Sequence, residues 1–293
     1  MRRLAIHGLA LLLLAAASAW AAPAAAAARL DLVRLPPGFQ IQLYARVPGA
    51  RSMAVVPELG AVLVGTRGDS VYAVVDADGD GRVERVDRVF DDLHVANGID
   101  WREGWFYVAE QHRVVRFAAP DLATLKRARP EVLFNALPDD PWHGWRYARF
   151  GPDGMLYIAV GSPCNICRIG GLEGSIVRMP ADGGKPAVFA SGVRNSVGFD
   201  FQPGTGELYF TDNGADHMGD DSPPDELNHA PRKGLWFGFP YFGGGRDRTS
   251  AFKNERLPGR PSFPVIEFNA HVAALGISFY RGTQFPAGYR GDA

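Results

Sequence analysis

Two motifs in the middle of the chain carry side chains suited to proton transfer and to anion binding. His143 lies in the sequence Trp-His-Gly-Trp between two predicted strands, and a histidine can act as a general base near neutral pH. Arg194 and Asn195 lie in the motif Gly192–Gly198, and a guanidinium group binds carboxylates and developing oxyanions. Each motif also has a purely structural interpretation, in which His143 packs against its neighbours and Arg194 bridges adjacent elements.

A third motif, the loop that follows Thr211, concentrates oxygen atoms that could bind a cation. Its acidic residues are mixed with Gly, Pro and Asn, and they are Asp212, Asp216, Asp220, Asp221, Asp225 and Glu226. Carboxylate and carbonyl oxygens are the ligands that calcium prefers, and repulsion among so many acids favours a counterion. The loop therefore predicts a calcium site, with a solvated acidic surface as the alternative.

A second acidic stretch, Asp76–Glu84, resembles the first part of an EF-hand calcium loop, with Asp87 where the final glutamate would stand. It joins two predicted strands rather than two helices, so we do not expect an EF-hand. We interpret it as a Gly-Asp hairpin, with or without a weakly held calcium ion.

The polar motifs occupy equivalent points of a sequence repeat. Each copy has a strand, a turn, a second strand that ends in an aromatic residue, a short loop and a third strand. His143 follows the strand ending at Phe134, and Arg194 and Asn195 follow the strand ending at Phe189. His271 holds the same place in a later copy, with no assigned role. Equivalent loops of a repeat architecture lie on one face, so these side chains are expected to converge.

The length of the repeat predicts the fold. Apolar strands centred on Leu63, Tyr107, Tyr157 and Tyr209 recur roughly every 50 residues, which is typical of β-propeller blades. The folded length corresponds to a little over five such units. We therefore predict an all-β, six-bladed propeller of four-stranded antiparallel blades, with an incomplete last blade. No long helix is expected, and Asp121–Arg129 could hold one helical turn.

The N-terminus has the organisation of a secretory signal. Two arginines precede an apolar run, and a small-x-small cleavage pattern ends at Ala21. We predict a signal peptide over residues 1–21, an Ala-rich spacer over 22–28 and one propeller domain, incomplete at its C-terminus, over 29–293. The apolar run is too short for a stable membrane span, which needs about 20 residues. The expected location is the periplasm, and an uncleaved membrane anchor is the alternative.

Charge and cysteine usage exclude other classes. The formal net charge of −1 and the lack of a basic block do not fit a nucleic-acid-binding protein. Cys164 and Cys167 are followed by Arg168, so the c-type haem motif is not met. Two cysteines are too few for a four-thiolate zinc site. A local disulfide is the favoured interpretation, and a redox-active pair is the alternative.

Taken together, these motifs resemble the soluble pyrroloquinoline quinone (PQQ)-dependent aldose dehydrogenases of the glucose/sorbosone dehydrogenase family. The similarity runs from about Asn97 to Gly243, and the segment Ser162–Cys167 is similar to the sorbosone-type branch. The set is specific, although each part alone is weak. The strongest parts are His143, Phe150–Tyr157, Gly192–Gly198, Thr211–Gly214, Pro224–Asn228 and Trp236–Pro240.

The resemblance implies a six-bladed propeller with PQQ held over one face by a calcium ion. It implies that His143 takes the proton from a sugar hydroxyl as hydride moves to the quinone. Arg194 and Asn195 would contact PQQ and stabilise its reduced anion, and Asn97 would be a further cofactor contact. The implied partners are a small sugar and a periplasmic electron acceptor. The implied calcium ligands are the carbonyls of Gly214 and of Ala215 or Asp216, with a second, structural calcium region at Asp225 and Glu226.

Two departures from the family pattern bear on activity. Ser162 stands where the glucose-oxidising branch has an aspartate that orients the catalytic histidine. A serine hydroxyl can hold the tautomer but stabilises an imidazolium less. The basic residues that bind the PQQ carboxylates come, in the family, from later blades, beyond Ala293. We therefore expect weaker PQQ binding.

Two other functions are compatible with the sequence. A calcium-dependent lactonase on a propeller would need several side-chain oxygen ligands, and Asn97, Asn195 and Asp212 supply three without a clear fourth. Such an enzyme would leave His143 and Arg194 without a joint role. A non-catalytic binding propeller is the other alternative.

Overall fold

The computed structural model describes residues 29–293. The predicted signal peptide and spacer, residues 1–28, lie outside the described residues. The chain divides into two units, residues 1–43 and residues 44–293. The described part of the first unit contains a short 3-10 helix, Leu30–Leu32.

The second unit consists of four sheets that follow one another along the chain, here called blades 1 to 4. Blade 1 contains β1 (Ala50–Val56), β2 (Ala61–Thr66), β3 (Val71–Val75) and β4 (Arg85–Phe90). Blade 2 contains β5 (Gly98–Arg102), β6 (Trp105–Ala109), β7 (Val114–Ala118) and β8 (Glu131–Phe134). Blade 3 contains β9 (Ala148–Phe150), β10 (Leu156–Val160), β11 (Ser175–Met179) and β12 (Ala187–Ser191).

Blade 4 has a long excursion before its outer strand. It contains β13 (Phe199–Phe201), β14 (Leu208–Asp212) and β15 (Pro224–Ala230), after which β16 (Leu235–Trp236) pairs in parallel with β12 of blade 3. The chain then returns as β17 (Ile266–Ala270), which pairs with β15. The remaining short helices are Pro57–Leu59, Leu122–Leu125, Ser250–Phe252 and Ala287–Tyr289.

The predicted number of blades is wrong, whereas the all-β class is confirmed. Residues 29–293 form four blades, each with at least four strands, so the incomplete last blade is not among them. The prediction divided the chain by a repeat of about 50 residues. Blade 4 breaks that spacing, because the segment between Ala230 and Ile266 supplies β16 to the neighbouring blade. In the last copy of the repeat, residues 276–280, where the third strand after His271 is expected, form no strand.

Apolar clusters between successive blades stabilise the propeller. Side chains of a strand alternate between its two faces. In β6, Phe106 therefore packs towards blade 1, and its neighbour Tyr107 packs towards blade 3. Tyr157 and Phe199 belong to the cluster between blades 3 and 4. Because both faces of a blade are covered, all five residues of β10 are buried. Fully burying one such apolar side chain contributes about 1.5–3 kcal/mol.

The first strands of successive blades lie side by side, β1 against β5 and β5 against β9. Two glycines permit this close approach. A Cβ atom on Gly98 would lie 2.6 Å from the carbonyl oxygen of Arg146, and one on Gly198 would lie 2.6 Å from the Cα of Gly276. The loops that lead into β5, β9 and β13 therefore meet at one end of the blades. These are the loops that carry Asn97, His143 and Arg194.

The one-turn helix predicted within Asp121–Arg129 is present as Leu122–Leu125, with Asp121 accepting a 2.7 Å hydrogen bond from the amide of Thr124. No helix among residues 29–293 is long and apolar enough to cross a membrane.

Candidate functional site

A buried arginine holds the loop that carries His143. Arg146 is 1% exposed, and its guanidinium donates to the carbonyl oxygens of Gln111 (3.1 Å), His143 (3.2 Å) and Pro138. The carbonyl of Arg146 in turn accepts a 2.7 Å hydrogen bond from Nδ2 of Asn97. Burial lowers the pKa of Arg146 to about 10, so the side chain stays protonated at neutral pH. Arg146 thus fixes the loop from Pro138 to His143, a role that the sequence did not reveal.

The imidazole of His143 is oriented by Ser162. Nδ1 of His143 lies 2.9 Å from the carbonyl oxygen of Ser162 and 3.2 Å from its hydroxyl. A carbonyl can only accept, so Nδ1 carries the proton and donates it. The Ser162 hydroxyl donates its own hydrogen to the carbonyl of Cys164 at 2.7 Å. Nε2 of His143 is therefore the unprotonated nitrogen and has a lone pair available.

The backbone at His143 is also constrained. His143 has a φ of 52°, in the left-handed region that few residues other than glycine adopt. A Cβ atom on Gly161 would lie 2.4 Å from the Cβ of His143, so only glycine fits beside it. Such conformations cluster at sites where the surrounding structure fixes a functional side chain.

The pKa of His143 is lowered to about 4, first by burial and then by the positive charge of Arg194. Both effects disfavour the imidazolium, because the low-dielectric surroundings and the nearby cation penalise a second positive charge. At physiological pH the side chain is therefore neutral and can accept a proton at Nε2.

Arg194 links two loops of the site. Its side chain is 4% exposed and donates to the carbonyl oxygens of Asn165 (3.0 Å) and Asn213 (3.1 Å). It also donates to Oδ1 of Asn165 (2.8 Å) and to the carboxylate of Asp216 (3.1 Å). These contacts use four of the five guanidinium N–H groups. One Nη1 hydrogen is left over, and the ion pair with the exposed Asp216 is the contact that an incoming anion could replace.

The predicted disulfide is confirmed and supports this arrangement. Cys164 and Cys167 are joined, and the short loop that they close presents Asn165 to Arg194. The side-chain amide of Asn165 also makes two hydrogen bonds to the backbone of Asp216. Nδ2 donates to the carbonyl oxygen of Asp216 at 2.9 Å, and Oδ1 accepts from the backbone N–H of Asp216 at 2.8 Å. The disulfide thus rigidifies a structural contact of the site.

Asp212 positions the Arg194–Asn195 backbone. Its two carboxylate oxygens accept hydrogen bonds from the amides of Arg194 (2.8 Å) and Asn195 (2.6 Å). The side-chain amide of Asn195 donates to Oδ1 of Asn213 at 3.2 Å. The loop of β13 is therefore held by the end of β14.

Asp212 also belongs to a buried acidic pair. It stands opposite Glu226 across β14 and β15, and both side chains are at most 5% exposed. Burial raises the pKa of Asp212 to about 7 and that of Glu226 to about 8, and the charge of Asp212 adds to the effect on Glu226. Nδ2 of Asn228 donates to Glu226 at 2.6 Å, while Oδ1 of Asn228 is buried without a hydrogen-bond partner. A bound cation would stabilise two buried acids with raised pKa values and would supply a partner for the unpartnered oxygen.

A small cavity of about 10 Å³ lies beside this pair. Its lining includes Arg194, Asp212, Glu226 and residues of the segment Phe237–Gly244. A space of this size accommodates about one water molecule or one ion.

Asp225, one of the predicted calcium ligands, is engaged elsewhere. Oδ1 accepts a 2.7 Å hydrogen bond from the amide of Gly214, and Oδ2 accepts a 2.6 Å hydrogen bond from the amide of Ala273. Asp225 therefore ties together two loops. Of the other predicted ligands, Ala215 is buried and its N–H donates to the carbonyl of Gly243 at 2.7 Å.

Two further sequence features have structural roles. The Asp76–Glu84 stretch is the connection between β3 and β4, where Glu84 accepts from the amide of Ala77 at 3.1 Å and Asp76 accepts from that of Gly81 at 3.2 Å. His271, which had no assigned role, donates from Nε2 to the carbonyl of Gly219 at 2.8 Å.

The glucose/sorbosone dehydrogenase family model matches residues 48–293. The chain belongs to this family. The recognised resemblance to PQQ-dependent sugar dehydrogenases is thereby confirmed at the level of the family.

This family member is also similar to an uncharacterized protein of Borreliella burgdorferi, with 29% identity over 269 residues that cover 88% of this chain and 69% of the relative. The holo form of the pyranose dehydrogenase PQQ domain from Coprinopsis cinerea is similar in fold, with a TM-score of 0.63, 17% identity and coverage of 80% and 68%. The PQQ-bound aldose sugar dehydrogenase from Streptomyces coelicolor has a TM-score of 0.55 and 21% identity, and the match covers 76% of this chain and 69% of that one. The apo form of the soluble aldose sugar dehydrogenase from Escherichia coli has a TM-score of 0.59 and 16% identity, and the match covers 83% of this chain and 78% of that one.

Cavities at the two ends of this propeller differ in their chemistry. One, of about 560 Å³, is lined by Arg149–Pro152, Asp200–Gly206 and Arg281. These residues lie at the far ends of β9 and β13, whereas His143 and Arg194 precede the same two strands. A second cavity of about 380 Å³ is lined by Asn97 and Trp145 at the near end. Neither His143 nor Arg194 lines these two cavities, whereas Arg194 lines the small cavity beside Asp212 and Glu226.

Proposed function

We propose that this chain is a quinoprotein that oxidises a hydroxyl group of a sugar, with PQQ as hydride acceptor and His143 as general base. The observation that carries the proposal is the orientation of the His143 imidazole, which donates from Nδ1 to the Ser162 carbonyl and leaves Nε2 as the proton acceptor. A general base must be unprotonated and held within reach of the proton that it takes. Burial disfavours protonation of His143, and the contacts of its loop hold the imidazole in one position.

The residues of the near end fit PQQ, an anionic quinone with carboxylates. Arg194 retains one donor, and its contact with the exposed Asp216 can be exchanged for another anion. Asn195 and Asn97 supply amide groups on neighbouring loops. When bound, PQQ supplies an electrophilic quinone that accepts a hydride from the sugar. Nε2 of His143 would accept the hydroxyl proton, and Arg194 and Asn195 would stabilise the negative charge that develops on the reduced group.

The sugar would bind against Trp142. The indole of Trp142 is 51% exposed, and its centroid lies 5.7 Å from that of the His143 ring. An exposed aromatic face packs well against the apolar face of a sugar ring, and its position would bring a ring hydroxyl towards Nε2. This contact supports a sugar of unspecified identity rather than a particular aldose or sorbosone.

We propose calcium as the cation of the site. The buried acids Asp212 and Glu226 and the unpartnered Oδ1 of Asn228 suit one structural ion. This assignment keeps Glu226 and pairs it with Asp212, which stands opposite it across β14 and β15, whereas Asp225 joins the loops of Gly214 and Ala273. The carbonyls of Gly214 and of Ala215 or Asp216 remain our proposal for the cofactor's calcium.

We further propose that the chain acts in the periplasm, on the basis of the predicted signal peptide over residues 1–21, and passes electrons to an acceptor there. The lactonase alternative is less well supported, because it would leave the oriented imidazole of His143 and the buried guanidinium of Arg194 without a joint role. No observation favours the non-catalytic alternative.

Reconstitution tests the proposal. The full chain is incubated with PQQ and calcium, and reduction of an artificial dye is measured with a panel of aldoses and with sorbosone. We expect dye reduction that needs both PQQ and a sugar. The proposal fails if no sugar supports reduction at saturating PQQ, or if lactones are hydrolysed with calcium and no quinone.

A further inference from the structure

Three side chains outside the proposed sugar site form a cluster with the composition of a transition-metal site. Single ligand atoms of His94, His112 and Asp139 all lie within 4.8 Å of one another. The two imidazole centroids are 5.5 Å apart. His94 lies between β4 and β5, His112 between β6 and β7, and Asp139 between β8 and β9, so the cluster brings together three loops at one end of blade 2.

Backbone contacts hold the three loops in place. The amide of His94 donates to Glu110 at 2.6 Å, and its carbonyl accepts from the amide of Gln111 at 3.3 Å. The carbonyl of His112 accepts from the amide of Leu137 at 3.0 Å. The cluster is therefore built on loops that are cross-linked to each other, rather than on independent surface side chains.

Asp139 is oriented by a neighbouring amide. Nε2 of Gln111 donates to Oδ1 of Asp139 at 2.8 Å and to its backbone carbonyl at 3.1 Å. Hydrogen bonds of this kind fix the direction of a ligating carboxylate. Within residues 29–293, no lysine or arginine forms an ion pair with Asp139. The carboxylate of Asp139 is therefore held in place by Gln111, and no ion pair within these residues neutralises its charge.

The donor set selects the class of metal. Two imidazole nitrogens and one carboxylate oxygen suit Zn²⁺ and its first-row neighbours, whereas calcium and magnesium prefer oxygen ligands alone. In a tetrahedral zinc site the donor atoms are about 3.4 Å apart, since each lies about 2.0–2.2 Å from the metal. Small rotations of the side chains reach that spacing from 4.8 Å, because His94 and Asp139 are exposed.

We propose that His94, His112 and Asp139 bind one first-row divalent transition metal ion of the zinc type, with solvent at the remaining position. This site is separate from the proposed calcium site and does not rest on the proposed sugar oxidation. It would tie together the three loops at the end of blade 2. One of them is held by Arg146, which contacts both Pro138 and His143.

Calorimetric titration of the full chain, prepared without a histidine tag and treated with chelator, tests the proposal. Zn²⁺ is titrated in the presence of excess Ca²⁺, and Co²⁺ is added in parallel to follow the visible absorption of its nitrogen-ligated form. We expect one Zn²⁺ per chain and Co²⁺ bands that Zn²⁺ abolishes. His94→Ala, His112→Ala and Asp139→Asn should each weaken Zn²⁺ binding at least about tenfold, and Gln111→Ala should weaken it about 10- to 100-fold.

His217→Asn is the matched control, because His217 is an exposed histidine on another loop. Asp139→Asn keeps the Oδ1 acceptor for Gln111 and removes the charge, so it serves even if a histidine variant does not fold. The proposal is overturned if Zn²⁺ binds without a defined stoichiometry. It is equally overturned if the folded His94→Ala and Asp139→Asn variants bind Zn²⁺ within about twofold of the wild type, or if His217→Asn weakens binding as much as they do.

Discussion

Nδ1 of His143 donates to the carbonyl oxygen of Ser162 over 2.9 Å. This contact with a neutral backbone group, where a carboxylate would stabilise an imidazolium, leaves the imidazole oriented but uncharged. The pKa of His143 is lowered to about 4 by burial and by Arg194. The imidazole of His143 is therefore neutral at pH 7, as the proposed general base must be.

The pH profile of sugar oxidation should reflect this low pKa. We expect kcat/KM to be independent of His143 protonation from about pH 6 upwards and to fall only as the pH approaches 4. Ser162→Asp places a carboxylate beside Nδ1, which favours the imidazolium and moves the acid limb to higher pH. The measurement is dye reduction across pH in both proteins. A wild-type acid limb near pH 6.5, or a limb that Ser162→Asp leaves in place, would contradict this electrostatic account.

The same lowered pKa has a consequence for stability. The folded-state pKa of His143 lies below its unfolded value of about 6.5, so the unfolded chain binds more protons between these values. This group's contribution to stability is present above about pH 6.5 and is lost as the pH falls towards 4. Urea unfolding at pH 7 and pH 5 should show a smaller loss for His143→Asn than for the wild type. An equal loss in both proteins would be inconsistent with a buried neutral histidine.

Calcium should stabilise the wild type and not Glu226→Gln. The variant keeps an acceptor for the amide of Gly245 and removes a buried carboxyl whose pKa is raised to about 8, so in chelator it should be at least as stable as the wild type. Calcium at 100 times its Kd stabilises a folded protein by about 2.7 kcal/mol. Thermal unfolding with calcium and with chelator checks this difference. Asp221→Asn, an exposed acid of the same loop, is the control that should respond to calcium as the wild type does.

Asn165→Ala should destabilise the site without altering the disulfide. Oδ1 of Asn165 accepts from Arg194, whose guanidinium is nearly buried. Leaving a buried donor unpaired costs about 1–3 kcal/mol. We expect a loss of this size in the free energy of urea unfolding, together with weaker PQQ binding. Unchanged stability and unchanged PQQ affinity would mean that the Asn165 contact does not hold Arg194.

Trp142→Ala should raise KM for the sugar about tenfold or more and leave the free energy of unfolding within about 0.5 kcal/mol of the wild type. The side chain is 51% exposed, so its removal creates no core cavity. Trp142→Phe keeps an aromatic face and should retain most of the affinity. Steady-state kinetics of the three proteins test the contact, and an unchanged KM in Trp142→Ala would remove Trp142 from the sugar site.

The sequence predicted strands well and their assembly less well. Apolar runs such as Leu156–Val160 are buried on both faces and leave little ambiguity. The number of blades depends on how the chain connects them, and the excursion between Ala230 and Ile266 has no counterpart in the earlier repeats. No local sequence pattern predicts that β16 pairs with blade 3, because the two strands that pair are distant in sequence.

The site shows the same division. His143 and Arg194 could be selected by residue type and by their place in the repeat. Arg146 could not, because its importance arises from three carbonyl groups that only the folded loops bring together. Asp212 and Asp225 belong to one acidic stretch of the sequence, but they lie on β14 and β15, and only the strand pairing shows that Asp212 faces Glu226.

The most direct measurement of the central claim is the single-turnover reduction of PQQ in the reconstituted chain, followed by absorbance after mixing with an aldose. We predict that His143→Gln slows this step by about 10²- to 10⁴-fold, the usual contribution of a general base, while PQQ affinity changes little. An aldose with deuterium on the carbon that bears the oxidised hydroxyl should also slow the wild-type step, since hydride leaves that carbon. A rate in His143→Gln within about threefold of the wild type would contradict the assignment of His143 as the base.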